Sequence, residues 1–235
     1  MSGAGSAVAL AVAALVPLVV LMLTSFVKVS VVLSLLRNAI GAPDAPSGLV
    51  VTGLSLVLTF FVMAPVAIDM VHAAAEPVVV APVPGTAPAT VPAPAPGNDL
   101  DAAVRSLVPA QYAPQVDATA RALGPLRTFL TRHAAVRDRE TFTALASRMG
   151  HGVHGDEIWV LAPAFLTTEL REAFAMAVLI FLPFLVLDLV VGLGLAALGL
   201  QTTSPQTVAL PLKLLLFVAV DGWRLLIDGL LRGYV

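Results

Sequence analysis

The sequence predicts an all-α, membrane-associated protein: two long, bent helical hairpins flanking a small helical domain outside the cytoplasm. Three observations point there. The 235 residues are 58% hydrophobic and only 12% charged, with a mean hydropathy of +0.94, whereas soluble domains carry about 25% charged residues. The apolar residues gather into four segments, each near or above the roughly 20 residues that a helix needs to cross hydrocarbon. The polar residues gather mainly between the second and third segments. The net charge of −2 gives no reason to expect a nucleic acid partner. The chain has no cysteine, which excludes disulfides, thiolate chemistry and cysteine-ligated metals.

The first segment runs from Ala7 to Leu36 and is interrupted by Lys28. No Lys or Arg precedes its apolar run, so it makes a poor signal peptide and is expected to belong to the mature chain. The turn-forming stretch GAPDAPS, 41–47, separates it from the second segment, Gly48–Ile68, and makes the two a hairpin. Lys28 and Arg37 flank the tip, which the positive-inside rule places in the cytoplasm. Thr52, Ser55 and Thr59 share one helix face, and Ser30, Ser34 and Arg37–Asn38 share another. Such hydroxyls either bond back to their own helix or face a neighbour or pore.

Residues 76–97 contain seven prolines. That density excludes a packed helix or central strand and predicts an extended spacer. Residues 98–172 hold charges of both signs and helical patterning, with Leu123, Leu126, Phe129 and Leu130 at helical spacing. HGVHGDE, 151–157, offers His151, His154, Asp156 and Glu157, but the spacing matches no strong zinc pattern and the glycines favour a solvated loop. The expected organisation is therefore a first hairpin over 1–72, a Pro/Ala-rich linker over 73–97, a small domain over 98–172 and a second hairpin over 173–235.

The third segment, Ala173–Leu200, contains Pro183, expected to kink it, and Asp188, an acid expected to face a helix bundle or a water-filled cavity. Gly192, Gly194, Ala196 and Gly199 offer a face where another backbone can approach closely. TTSP, 202–205, supplies a turn ending at Pro205. The fourth segment, Thr207–Leu231, carries Lys213 and then Asp221, Arg224, Asp228 and Arg232, which alternate in sign on one face of a helix. Lys213 and Asp221 lie about 12 Å apart along a straight helix and so need other partners. Either Lys213 snorkels to water, or the helix packs on protein that pairs both charges. One catalytic arrangement is available. Asp188 and Asp221 lie in consecutive apolar segments, and paired aspartates can share a proton and activate water, as an intramembrane aspartyl hydrolase would require. The sequence holds no P-loop, HExxH or GxSxG motif.

LTSFVKVSVVLSLLRNAIGAPDAPS (23–47), GLSLVLTFFVMAPV (53–66), PLRTFL (125–130), AFLTTELREAF (164–174), IFLPFLVLDLVV (180–191) and SPQTVALPLKLLLFVAVDGW (204–223) together strongly resemble the FliP/SctR family. These are core export-apparatus proteins of the flagellum and of type III secretion injectisomes. The first motif is most similar to the injectisome SctR branch, with flagellar FliP as the alternative. The resemblance implies a non-enzymatic subunit of the bacterial inner membrane that needs no cofactor and has no catalytic or metal-binding residues. Five copies would assemble with SctS- and SctT-like partners and further export components into a helical gate, raised largely to the periplasmic side, through which unfolded protein substrates pass. By that reading the 98–172 domain is periplasmic. Lys28, Arg37, Asp188, Lys213 and Asp221 lie between helices or subunits. Leu200, Gln201 and Thr202 stand at the channel constriction, where the family carries methionines that this chain lacks.

Overall fold

The computed structural model describes residues 19–41, 47–75, 113–150, 155–200 and 202–234. Among these residues all regular structure is helical: α1 (Phe26–Ile40), α2 (Gly48–Ala75), α3 (Ala113–His133), α4 (Val136–Arg148), α5 (Ile158–Ala197), α6 (Pro205–Ala219) and α7 (Gly222–Arg232). The chain divides into two compact units, one formed by 1–63 with 166–235 and the other by 64–165. The proline-rich stretch 76–97, and His151 and His154, lie outside the described residues.

In the first unit, the first apolar segment is not one helix. It breaks at Leu23–Ser25, where the Thr24 hydroxyl donates to the Leu21 carbonyl at 2.7 Å and accepts from the Phe26 N–H at 3.3 Å. These local bonds compete with the helical ladder. From Phe26 onward, Val29, Val32, Leu33, Leu36 and Ile40 recur at helical spacing and are buried. They form the centre of a core completed by Val51 and Leu58 of α2, Phe184 of α5, Phe217 of α6 and Leu226 and Leu230 of α7. Gly41 ends α1 in the left-handed conformation, with φ 83°, where a side chain would be strained. On α2, the Thr52, Ser55 and Thr59 hydroxyls each donate to the carbonyl four residues back, at 2.7–2.9 Å. The polar stripe on this helix is thus satisfied within it.

α5 begins at Ile158, well before Ala173, and runs for 40 residues. The expected boundary between a polar domain and a third apolar segment falls inside this helix, which passes through Pro183 without interruption. Its end is a Schellman cap. The Leu200 N–H donates to the Leu195 carbonyl at 2.9 Å, the Gly199 N–H donates to Ala196 at 3.1 Å, and Gly199 takes φ 72°. Pro205 opens α6 at its first position, where its missing N–H costs nothing.

The fourth segment also breaks. α6 stops at Ala219, and α7 starts at Gly222. Between them Asp221 adopts φ 52°, the single left-handed residue other than glycine among those described. Gly222 is required there, because a Cβ on it would overlap the Phe217 ring. That ring meets Trp223 edge-on at 5.4 Å, so the corner is packed from both sides. The alternating charges therefore do not share one straight helix. Asp221 stands at the corner, and Arg224, Asp228 and Arg232 follow on α7.

In the second unit, Leu126, Phe129 and Leu130 of α3 are buried, as their spacing predicts. The Phe129 ring packs at 5.7 Å from Phe165 and 4.5 Å from His133. Glu157, buried before α5, accepts the Gly155 N–H at 2.9 Å. No group of three metal-ligating side chains forms among the described residues.

The corner generates a prediction. Gly222→Ala drives a methyl group into the Phe217 ring, and overpacking of this kind costs about 1–3 kcal/mol. We expect a lower thermal unfolding temperature in detergent. Pairing it with Phe217→Leu should restore part of the loss, and an unchanged Gly222→Ala protein would show that the corner is loosely packed.

Candidate functional site

The first unit inverts the usual arrangement of charge and apolar surface. α2 and α5 are long and apolar enough to cross a membrane, yet only 22% and 11% of their most hydrophobic stretches are buried. Phe60, Phe61, Leu179, Leu189 and Leu193 are all exposed. Exposed apolar area on this scale marks a surface meant for lipid or protein. Two lysines, in contrast, are buried.

Lys28 is fully buried. Its Nζ lies 2.5 Å from Glu172 Oε2 and 3.9 Å from Glu169 Oε1, and 4.7 Å from the centre of the Tyr234 ring. The Tyr234 hydroxyl donates to Glu169 Oε2. Glu169 and Glu172 are three residues apart on α5, so both face the same way. Glu169 is buried with Lys28, while Glu172 is half exposed. Burial, reinforced by the Glu169 carboxylate, holds the Tyr234 hydroxyl well above the ordinary phenol range, so it remains a donor.

Lys213 is also buried. Its Nζ meets Asp188 Oδ2 at 2.7 Å and donates to the Ala39 carbonyl at 3.1 Å. That carbonyl is among the last four of α1, which have no partner within the helix and carry its negative end. The ammonium thus joins α6 to both α1 and α5. The two lysines meet α5 at sites sixteen residues apart, Glu172 and Asp188, which is about 24 Å of helix.

The remaining sequence-predicted residues fall outside these clusters. Arg37 is half-buried near the end of α1. Asp221 is exposed at the α6–α7 corner, and Asp228 pairs with Arg232 at 2.8 Å on the surface of α7. Asp188 is engaged by Lys213, and no hydrogen bond joins it to Asp221. Gly192, Gly194 and Gly199 have open space within 4 Å of where a Cβ would sit, so nothing among the described residues packs closely on them. Leu200 and Thr202 are exposed after the α5 cap, and Gln201 lies outside the described residues. Sequence reasoning missed Glu169, Glu172 and Tyr234. The available signal was the Glu-x-x-Glu spacing at the start of a long apolar run.

A model of the FliP family matches residues 9–230. The chain is 37% identical to the hypersensitivity response secretion protein HrcR of Ralstonia nicotianae, over 97% of this chain and 96% of that protein. It is 37% identical to the pathogenicity-related ORF2 of Xanthomonas campestris pv. glycines, over 94% of this chain and 91% of that protein. To the flagellar biosynthetic protein FliP of Pectobacterium carotovorum it is 39% identical, over 93% of this chain and 73% of that protein.

The two lysines should differ in what they contribute. Lys28→Met leaves Glu169 buried without its cation, and breaking a buried pair costs about 3–5 kcal/mol. Lys213→Met should cost less, because Asp188 is 38% exposed and can hydrate. Thermal unfolding of both variants in one detergent tests the order, and equal losses would contradict it. Tyr234→Phe removes a donor from Glu169, at about 1–3 kcal/mol. Because the fold raises the Tyr234 pKa, this contribution is present below the unfolded value of about 10 and fades as pH rises beyond it. Unfolding of wild type and variant from pH 7 to 11 should show the gap closing. A constant gap would mean that the hydroxyl proton is not what matters.

Proposed function

The chain belongs to the FliP family, and on that premise we propose that it is a core subunit of a type III protein-export gate. Copies of it, five by family resemblance, assemble with SctS- and SctT-like subunits and further export components around a channel for unfolded protein substrates. The observation that carries this reading is the inverted surface of the first unit. A chain that buries its lysines against its own acids, and leaves the faces of α2 and α5 bare, is suited to packing against lipid and other subunits. The open glycine face at Gly192 and Gly194 suits close approach by a neighbouring helix.

In this reading the subunit works by shape and assembly rather than by catalysis. The Lys213–Asp188 pair supports that role, since an aspartate held by an ammonium is poorly placed to share a proton with Asp221. Leu200, Gln201 and Thr202 form the constriction. Leu200 is exposed just beyond a rigid glycine cap, and it supplies the apolar part of the seal. The assembly sits at the bacterial inner membrane, with the 98–172 domain on the periplasmic side. The VKVSVVLSLLRNA stretch at 27–39 favours the injectisome branch, with flagellar export as the alternative. Restoration of secretion in a strain lacking its SctR, against restoration of motility in one lacking FliP, separates the two.

The deciding experiment is the native mass of the detergent-solubilised protein, expressed alone and then with its SctS- and SctT-like neighbours. We expect a discrete ring-sized species that grows when the neighbours are present. A monomer or dimer indifferent to both would defeat the proposal.

A further inference from the structure

We propose that the groove between α1, α2 and α7 is a seat for an anionic phospholipid, with Arg37 holding its phosphate and the groove holding an acyl chain. The groove encloses about 340 Å³, within the range of small-molecule sites. Leu36 of α1, Val51 and Leu54 of α2 and Ile227 of α7 form aliphatic walls, with Arg37 and Trp223 among them. Trp223 is 44% exposed.

Arg37 is the reason to look for a ligand. Its Nε is buried with no acceptor, and among the described residues no carboxylate or carbonyl meets the guanidinium. Lys28 and Lys213, on the same core, are both paired. The guanidinium is half-buried in the last turn of α1. A Cβ on Gly48 would lie 3.6 Å from Arg37 Nη1, so the guanidinium lies beside the first residue of the 28-residue α2. The start of a helix carries positive potential of its own. The guanidinium and the exposed start of α2 therefore lie together beside aliphatic walls.

An anion would be met by both the guanidinium and the start of α2, and an alkyl chain would fill the groove. An exposed indole at the rim suits the level of lipid headgroups. One class of molecule supplies all of this, a glycerophospholipid with net negative charge. Basic pockets between membrane helices bind such headgroups. A zwitterionic lipid brings its own cation close to Arg37 and gains less. The inference goes beyond the export reading and does not rest on it. A chain that formed no gate would still hold the lipid, and a gate would still form around an empty groove.

The test uses the purified full chain in a non-ionic detergent, titrated with dioleoylphosphatidylglycerol or dioleoylphosphatidylcholine. Native mass spectrometry counts the bound lipid. Wild type should retain phosphatidylglycerol at least about fivefold more tightly, the worth of one cation near anionic lipid. Arg37→Gln should abolish the preference. Arg37→Lys should keep part of it, because the charge remains while the planar fork is lost. Leu54→Trp, which fills the groove, should lower retention of both lipids. Equal retention of the two lipids by wild type would overturn the proposal, as would a preference that survives Arg37→Gln. A preference governed by Asp44→Asn instead would show that the guanidinium is paired within the chain, and would also end it. So would a complex purified with its neighbouring subunits in which an acidic side chain of a neighbour cross-links to Arg37 and phosphatidylglycerol is absent.

Discussion

Burying an ammonium ion among apolar helices requires opposite charge or carbonyl dipoles at the place where it sits, and two such ions determine how the first unit is put together. Lys28 near the start of α1 is met by Glu169, Glu172 and Tyr234, and Lys213 by Asp188 and the end of α1. Neither lysine is satisfied by its own helix. Each joins elements far apart in the sequence, so the packing of α1 against α5, α6 and α7 follows from the need to pair charge. Aliphatic packing alone would tolerate many relative placements of these helices, because apolar contacts are not directional. The ion pairs admit few.

Both clusters limit the cost of desolvation in the same way. Removing two charges from water can exceed the gain from pairing them. Here each buried lysine has one carboxylate that keeps contact with solvent: Glu172 at 49% exposure and Asp188 at 38%. The clusters differ in what completes them. Lys28 faces two carboxylates and a ring, and the second carboxylate, Glu169, relies on the Tyr234 hydroxyl. Lys213 faces one carboxylate and the negative end of α1, which contributes a partial charge. With cations turned inward, the outward faces of α2 and α5 are left almost wholly apolar. The same sequence choice therefore yields both a specified interior and a surface that needs covering.

The helical class, the end of α1 at Gly41 and the burial of Leu126, Phe129 and Leu130 were legible in the sequence, because each rests on periodicity or on turn chemistry. So was the anomaly of Lys28, Asp188 and Lys213, since charges in apolar runs demand partners. The identity of the partners was not legible. Lys28 and Glu172 are 144 residues apart, and no local rule connects them. The breaks at Ser25 and Asp221 were missed for another reason. Both interrupt continuous apolar runs in which propensity favours helix, and each is made by particular side chains: the Thr24 hydroxyl bonded to Leu21 and Phe26, and the Phe217 ring filling the space that Gly222 leaves. Pro183 lies inside a helix that continues through it. The glycines at 192 and 194 meet nothing within 4 Å among the described residues.

The corner at Asp221 follows from the charge pairing by simple distance. Lys213 must reach the end of α1 at Ala39, and Tyr234 must reach Lys28 near its start. Those targets are eleven residues apart on α1, about 16 Å at helical rise. Lys213 and Tyr234 are twenty-one residues apart, which on a straight helix would be about 31 Å. An unbroken fourth helix could satisfy one end of α1 but not both. The segment has to turn, and it turns where Gly222 can accept the Phe217 ring and where Asp221, taking the strained left-handed conformation, can keep its carboxylate in the open. Strain at a non-glycine residue persists only where the surroundings over-determine it. Here the surroundings are two buried lysines at opposite ends of one short helix.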